Sequence, residues 1–217
     1  MATSESLGGR SVLYELLARL YSYPFDEQIL GSVASLRLED GTAELNDSLD
    51  RMKAAVAVRG VQGVDALNVE ATRLFEGPGK PIAPPFASYY LHGRLMGPPA
   101  IAANRFYLSK DALPDSEGSV PSDHLAVELG FMAYLATRAE RAFAGGETAD
   151  ALSALESSRE FIDEHLLTWL PRFIEDVVRG ADSSFFTGLA EFTAASVNWD
   201  RRWLEALEAE HLEGVPE

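Results

Sequence analysis

Three ionisable residues stand close enough in sequence to act together: Asp123, His124 and Glu128. Glu128 follows His124 by four positions, so on a helix the two occupy one face, and a histidine beside carboxylates can serve as a general base. No nucleophile or oxyanion-hole motif accompanies them, so hydrolysis through His124 is the weaker alternative and no catalytic residue is assigned. Binding is the other chemistry available. Unpaired amides at a helix N-terminus donate hydrogen bonds, and an exposed carboxylate such as Asp123 can take a guanidinium. Asp123 could equally complement the helix dipole while His124 satisfies a neighbouring backbone group.

A second set is aromatic. Phe86, Tyr89 and Tyr90 follow a run containing Pro78, Pro81, Pro84 and Pro85. Those prolines lack amide donors and restrict the residues before them, which predicts a fixed loop over 77–86, neither helix nor central strand. A surface connector is normally polar. This one is apolar, so it either fills a core seam or lines a groove. Trp169, Trp199 and Trp203 are expected in the core, and Arg73 is expected to pair locally with Glu70 or Glu76 on a solvated face.

Other chemistries find little here. The chain has no cysteine, which excludes thiol catalysis and cysteine-ligated zinc or iron–sulfur centres. His92, His124, His165 and His211 never fall at a two-histidine helical spacing, so no metal is expected. Gly77-Pro78-Gly79-Lys80 is a poor phosphate loop because Pro78 removes a needed amide. No cofactor is assigned.

The elements that must position these residues read as helices. Ser11 is the expected cap of a helix carrying Leu13, Leu16, Leu17 and Leu20 and ending near Tyr23, before Pro24. Asp26 or Glu27 opens a short helix through Leu36, closed by Glu39-Asp40-Gly41. Leu45, Leu49, Met52 and Val56 mark a third, stopping at Gly60. Leu67, Ala71, Leu74 and Phe75 mark a fourth, from about Val64 to Phe75, with Gly77 as its stop. Tyr89 to Leu95 forms a turn or two, Ile101 to Leu113 another helix, and 114–120 an exposed linker. Ser122 is the expected cap of a long helix with Leu125, Leu129, Met132, Leu135, Ala139 and Phe143 on one stripe, ended by Gly145-Gly146. A helix from Ala149 to Leu166 is followed by a corner at 165–171 and a helix to Arg179. The last stripe, Phe185, Leu189, Phe192, Ser196, Trp199, Trp203 and Leu207, has the aromatic weight to close a bundle.

The expected fold class is therefore all-α. The chain is read as a single domain over 1–217, with an N-terminal lobe at about 11–76, the proline-rich loop at 77–99, a C-terminal lobe at about 100–207 and a loose acidic tail at 208–217. At 217 residues and 47% hydrophobic it can bury a sizeable core. Its 34 acidic residues against 18 basic give a net charge of −16, which repels nucleic acid and anionic membranes and favours a cationic partner. With no signal-peptide pattern and no 18-residue apolar stretch, a soluble cytoplasmic protein is expected.

Three separated stretches carry a family likeness. Arg73-Leu-Phe-Glu-Gly-Pro78 continuing through Pro84-Pro85-Phe-Ala-Ser-Tyr-Tyr90, then Pro121-Ser-Asp-His-Leu-Ala-Val-Glu-Leu-Gly-Phe-Met132, then His165-Leu-Leu-Thr-Trp-Leu-Pro-Arg-Phe173, resemble the TorD, DmsD and NarJ group of cytoplasmic molybdoenzyme maturation chaperones, the redox enzyme maturation proteins. The resemblance implies an all-helical TorD-like bundle, monomer or homodimer. It would bind an apo-molybdoenzyme catalytic subunit of the dimethyl sulfoxide reductase superfamily through its twin-arginine signal peptide, hold it for molybdopterin insertion, and release it for export. The alternative within the group is a NarJ-like assembly factor for a non-exported subunit. The implied peptide-binding positions are Tyr21 or Tyr23, Phe86, Pro121, Asp123 and His124. Ala71 and Gly79 stand where some members carry tryptophans, and Phe86 stands where another can occur.

The chemistry of such a peptide, two arginines joined to an apolar stretch, needs a carboxylate near an aromatic groove. Asp123, with Glu76 or Glu128, is the expected acidic end, and Phe86, Tyr89 and Tyr90 the apolar wall. Roughly four extended residues, about 3.5 Å each, join the two parts of the peptide, so loop and helix start must lie within about 15 Å.

Overall fold

The helices interleave the two halves of the chain. The computed structural model describes residues 4–22, 24–38, 41–59, 63–77, 79–112 and 120–213. The order is α1 (Ser4–Leu20), α2 (Glu27–Ser35), α3 (Ala43–Arg59), α4 (Gly63–Ala71), a π turn (Thr72–Glu76), α5 (Ala87–His92), α6 (Pro98–Ser109), α7 (Leu125–Ala144), α8 (Thr148–Phe161), a second π turn (Ile162–Leu166), α9 (Leu167–Gly180) and α10 (Ser184–Glu213). The fold is all-α, as the periodicities predict. Among the described residues, strand-like pairing is limited to one antiparallel bridge, Phe86 with His124.

The first-half helices find their main partners in the second half. α1 packs most extensively on α7, and α3 on α10. One continuous core therefore runs from Leu7, Leu17 and Leu20 through Leu129, Met132 and Leu135 to Phe185, Phe192 and Leu204. At its centre Tyr21, Phe75, Phe173 and Phe186 meet at ring separations of 5.7 to 6.1 Å, contacts worth about 0.5–1.5 kcal/mol each beyond burial. A buried ion pair fastens the outer edge: Arg10 bonds Asp200, Tyr14 donates to the same carboxylate at 2.9 Å, and Arg10 lies over the Trp203 ring.

Several expected boundaries move, each for a local reason. α1 begins at Ser4, and Ser11 lies inside it, its hydroxyl bonded to the Gly8 carbonyl. Gly8 comes close to the Glu140 side chain, where an added Cβ would sit 3.0 Å from an oxygen. α2 is capped by Asp26 and stops at Ser35, before the expected 39–41. α6 starts at Pro98, because prolines at the first helical positions already hold the right φ. No corner forms at 165–171: the π turn widens the hydrogen-bond ladder without breaking it, and α9 runs through an exposed Pro171. Phe143 is exposed, with Ala142 taking the buried position. The expected tail at 208–217 is helical as far as Glu213. Tyr23, Gly60 and most of the 114–120 linker lie outside the described residues.

Candidate functional site

The proline-rich loop is tied down at both ends. The Gly77 amide closes the first π turn on the Thr72 carbonyl, and the Ala83 amide returns to the Leu74 carbonyl. Gly180, at the end of α9, lies against Ile82 so closely that a Cβ there would clash with the isoleucine methyl. Glu70 and Arg73 clamp the same corner. The Glu70 carboxylate takes the amides of Asp182 and Ser183 ahead of α10, while Arg73 bonds the Gly180 carbonyl and Asp182. The expected local pairing of Arg73 is thus a minor part of its contacts.

The loop then joins the head of α7 directly. The Ala87 amide donates to the Asp123 carbonyl at 3.0 Å and the Leu125 amide to the Pro85 carbonyl at 2.9 Å. The rings of Phe86 and His124 meet edge to face at 4.8 Å. The two segments expected within about 15 Å of each other are in contact.

Asp123 takes a different role from the exposed carboxylate expected. It is fully buried, its Oδ2 accepts the Ser88 amide at 2.7 Å at the start of α5, and its Oδ1 has no partner. No guanidinium from solvent reaches it in this conformation. The cap of α7 also moves from Ser122 to His124, whose Nδ1 accepts the Ala126 amide at 3.1 Å. Burial depresses the His124 imidazole to about 4, against a smaller opposing pull from Asp123, so it is neutral and a hydrogen-bond acceptor at physiological pH.

Glu128 lies one turn further into α7 and is almost wholly buried, its Oε2 accepting the Trp169 indole N–H at 3.1 Å. Burial, helped by the Asp123 charge, pushes its carboxyl well above the usual range. It lines a cleft of about 250 Å³ whose other walls are Ala87, Leu91, His92, Pro98, Pro99, Ala102, Glu164, His165 and Thr168. Leu91, Leu95, Met96 and Ile101 are exposed beside it, on and between α5 and α6.

The remaining expected residues divide between core and surface. Tyr21 is core: 2% exposed, its hydroxyl bonded to Thr193. Tyr90 is core as well, stacked on Trp169 at 5.6 Å. Phe86, Tyr89, Pro121 and His124 are half-buried, and Glu76 is exposed at the end of the first π turn. Trp169 is buried as expected, while Trp199 and Trp203 stack on each other half-exposed. No sequence pattern marks Glu164 and Leu91 as cleft residues, or Glu70 as a cap. The only local signal is His165, inside the third stretch of likeness and in the second π turn, a geometry that recurs at functional sites.

Comparison with known proteins agrees with this architecture. The sequence profile described as nitrate reductase delta subunit matches residues 38–175. A chaperone protein TorD from Shewanella pealeana is 28% identical over 215 residues, covering 91% of this chain and 90% of that protein. TorD from Vibrio cholerae serotype O1 is 32% identical over 124 residues, 57% of this chain, and that match spans only 55% of the Vibrio protein. A crystal structure from Archaeoglobus fulgidus, described as a redox enzyme maturation protein, superposes with a TM-score of 0.51 at 23% identity, covering 90% of this chain and 93% of that one.

Proposed function

The chain belongs to the nitrate reductase delta subunit family, and from that membership we propose that it is a client-specific chaperone that holds an apo-molybdoenzyme catalytic subunit until its molybdopterin is inserted. Its relatives carry the names of chaperones, not enzymes. The client belongs to the dimethyl sulfoxide reductase superfamily and is engaged through its twin-arginine signal peptide before export. The protein works in the cytoplasm as one helical domain, monomer or homodimer, without nucleic acid or membrane insertion. Among the described residues no helix is long and apolar enough to cross a membrane.

What supports this best is the packing of the proline-rich loop on the head of α7. It leaves Phe86 and His124 half-exposed near a cleft with apolar walls and two carboxyl groups. A peptide that joins cationic and apolar parts meets both kinds of surface there. With Asp123 buried, Glu128 and Glu164 replace it as the acidic end, and Phe86, Tyr89, Pro121 and His124 remain as contacts.

A second candidate, an assembly factor for a non-exported catalytic subunit, is favoured by the description of the matching family. Calorimetric titration with a twin-arginine peptide separates the two. Saturable binding supports the export chaperone. Absence of peptide binding, with co-purification of a cofactor-free catalytic subunit, selects the assembly factor.

A further inference from the structure

The cleft between α5, α6, α7 and the second π turn combines features that a mere packing defect does not. Its walls are Leu91, Pro98, Pro99 and Ala102, its deepest ionisable group is Glu128, and the exposed Glu164 stands on the π turn. Glu128 is 1% exposed, and only its Oε2 is engaged, by Trp169; no described residue donates to Oε1. The Asp123 carboxylate, one turn away, also keeps an unpartnered buried oxygen. The Glu128 carboxyl on an opening of about 250 Å³ with Glu164 at its rim, and the buried Asp123 carboxylate acting on it from within the core, describe a receptor for a cation.

We propose that this cleft seats one arginine side chain of the client, its guanidinium paired with the Glu128 carboxylate at the floor and the Glu164 carboxylate at the rim. The inference rests on the peptide-binding function proposed above. A guanidinium is less strongly hydrated than an ammonium, so it loses less on entering walls of proline, leucine and alanine, and its forked donors match a carboxylate. The groups facing Glu128 fit that occupant. Trp169 on α9 holds Oε2, and Asp123 adds negative charge. Burial above all keeps Tyr107 of α6 protonated. Burial lowers His165, leaving it neutral, and His92 stands at the α5 wall.

Binding there expels a proton. In the free protein burial favours the protonated Glu128 carboxyl; the incoming guanidinium favours the carboxylate, so the proton leaves to buffer as the ion pair forms. Affinity consequently rises with pH until Glu128 is already ionised in the free protein.

The test is calorimetry of the full chain with a synthetic peptide carrying paired arginines and an apolar stretch, in two buffers of different ionisation heat at each of two pH values. Wild type should release up to about one proton per peptide and bind more tightly at the higher pH. Glu128→Gln, which keeps an acceptor for Trp169, should bind on the order of ten-fold more weakly and release none; Glu164→Gln should weaken binding while proton release persists. A lysine-substituted peptide should also bind more weakly. If wild type binds without releasing a proton, or Glu128→Gln binds as wild type does, the cleft proposal is wrong and the chaperone function stands. If wild type does not bind the peptide at all, both fall. Should Glu128→Gln not fold, the wild-type proton count and Glu164→Gln decide.

Discussion

The Asp123 carboxylate holds the Ser88 amide at 2.7 Å across 35 residues of sequence, so a single buried acceptor starts α5 and ties the proline-rich loop to the head of α7. Asp123→Ala leaves that buried donor unpaired and should cost on the order of 1–3 kcal/mol. Asp123→Asn retains an acceptor oxygen and should cost less. Urea denaturation of the three proteins measures the difference; equal losses for Ala and Asn would show that the bond to Ser88 contributes nothing.

His124 gives the same junction a pH dependence. Its folded-state value, depressed to about 4 from an ordinary 6.5, means that the neutral form is the one the fold prefers. The contribution is fully present above 6.5, and is lost as the pH falls toward 4, because the unfolded chain takes up the proton first. Glu128 shifts upward and opposes part of this loss, so the informative quantity is a difference. Wild type should lose stability on acidification faster than His124→Asn, which keeps a capping acceptor without a titrating ring. Parallel stability–pH curves for the two proteins would exclude His124 as the source.

These two residues also mark where sequence stops being informative. The stripe from Leu125 to Ala139 is visible because helical periodicity is local, and the stop at Gly77 because glycine admits its φ of 25°. Ser122 reads as the cap of α7, but the decisive contact, Asp123 with Ser88, joins distant segments that no local pattern reports. Glu70 reads as the partner of Arg73, which it meets at 4.0 Å, but its carboxylate also serves amides 112 and 113 residues away. Family likeness and peptide chemistry bring Phe86 and His124 together, and they touch. The cleft is illegible in the sequence, since it exists only where α5, α6, α7 and the second π turn converge.

The Arg10–Asp200 pair is buried to 1% on both sides. Removing one partner strands the other, so Asp200→Ala should cost roughly 3–5 kcal/mol. Replacing both, as Arg10→Met with Asp200→Leu, should recover part of that loss, since the buried Tyr14 hydroxyl is then left without its acceptor. A double-mutant cycle by chemical denaturation checks it, and strictly additive losses would argue against the coupling.

Gly180→Ala should act on the loop. The new Cβ would clash with the Ile82 methyl, and relief requires that side chain, or the loop carrying it, to shift, at about 1–3 kcal/mol. Adding Ile82→Ala should restore stability by removing the clash. Thermal melts of the single and double variants test this, and a single variant as stable as wild type would mean that the loop yields freely.

The arrangement of α1 constrains how the protein is made. Its extensive apolar face is covered by α7, and its Arg10 and Tyr14 find their carboxylate on α10. Synthesis delivers α1 before α7, so α1 waits, its leucines uncovered, while more than a hundred further residues are added. Arg10 must wait for Asp200, 190 residues further on. Until α7 follows, the nascent chain carries an uncovered apolar face, the same kind of surface that this protein is proposed to shield on its client.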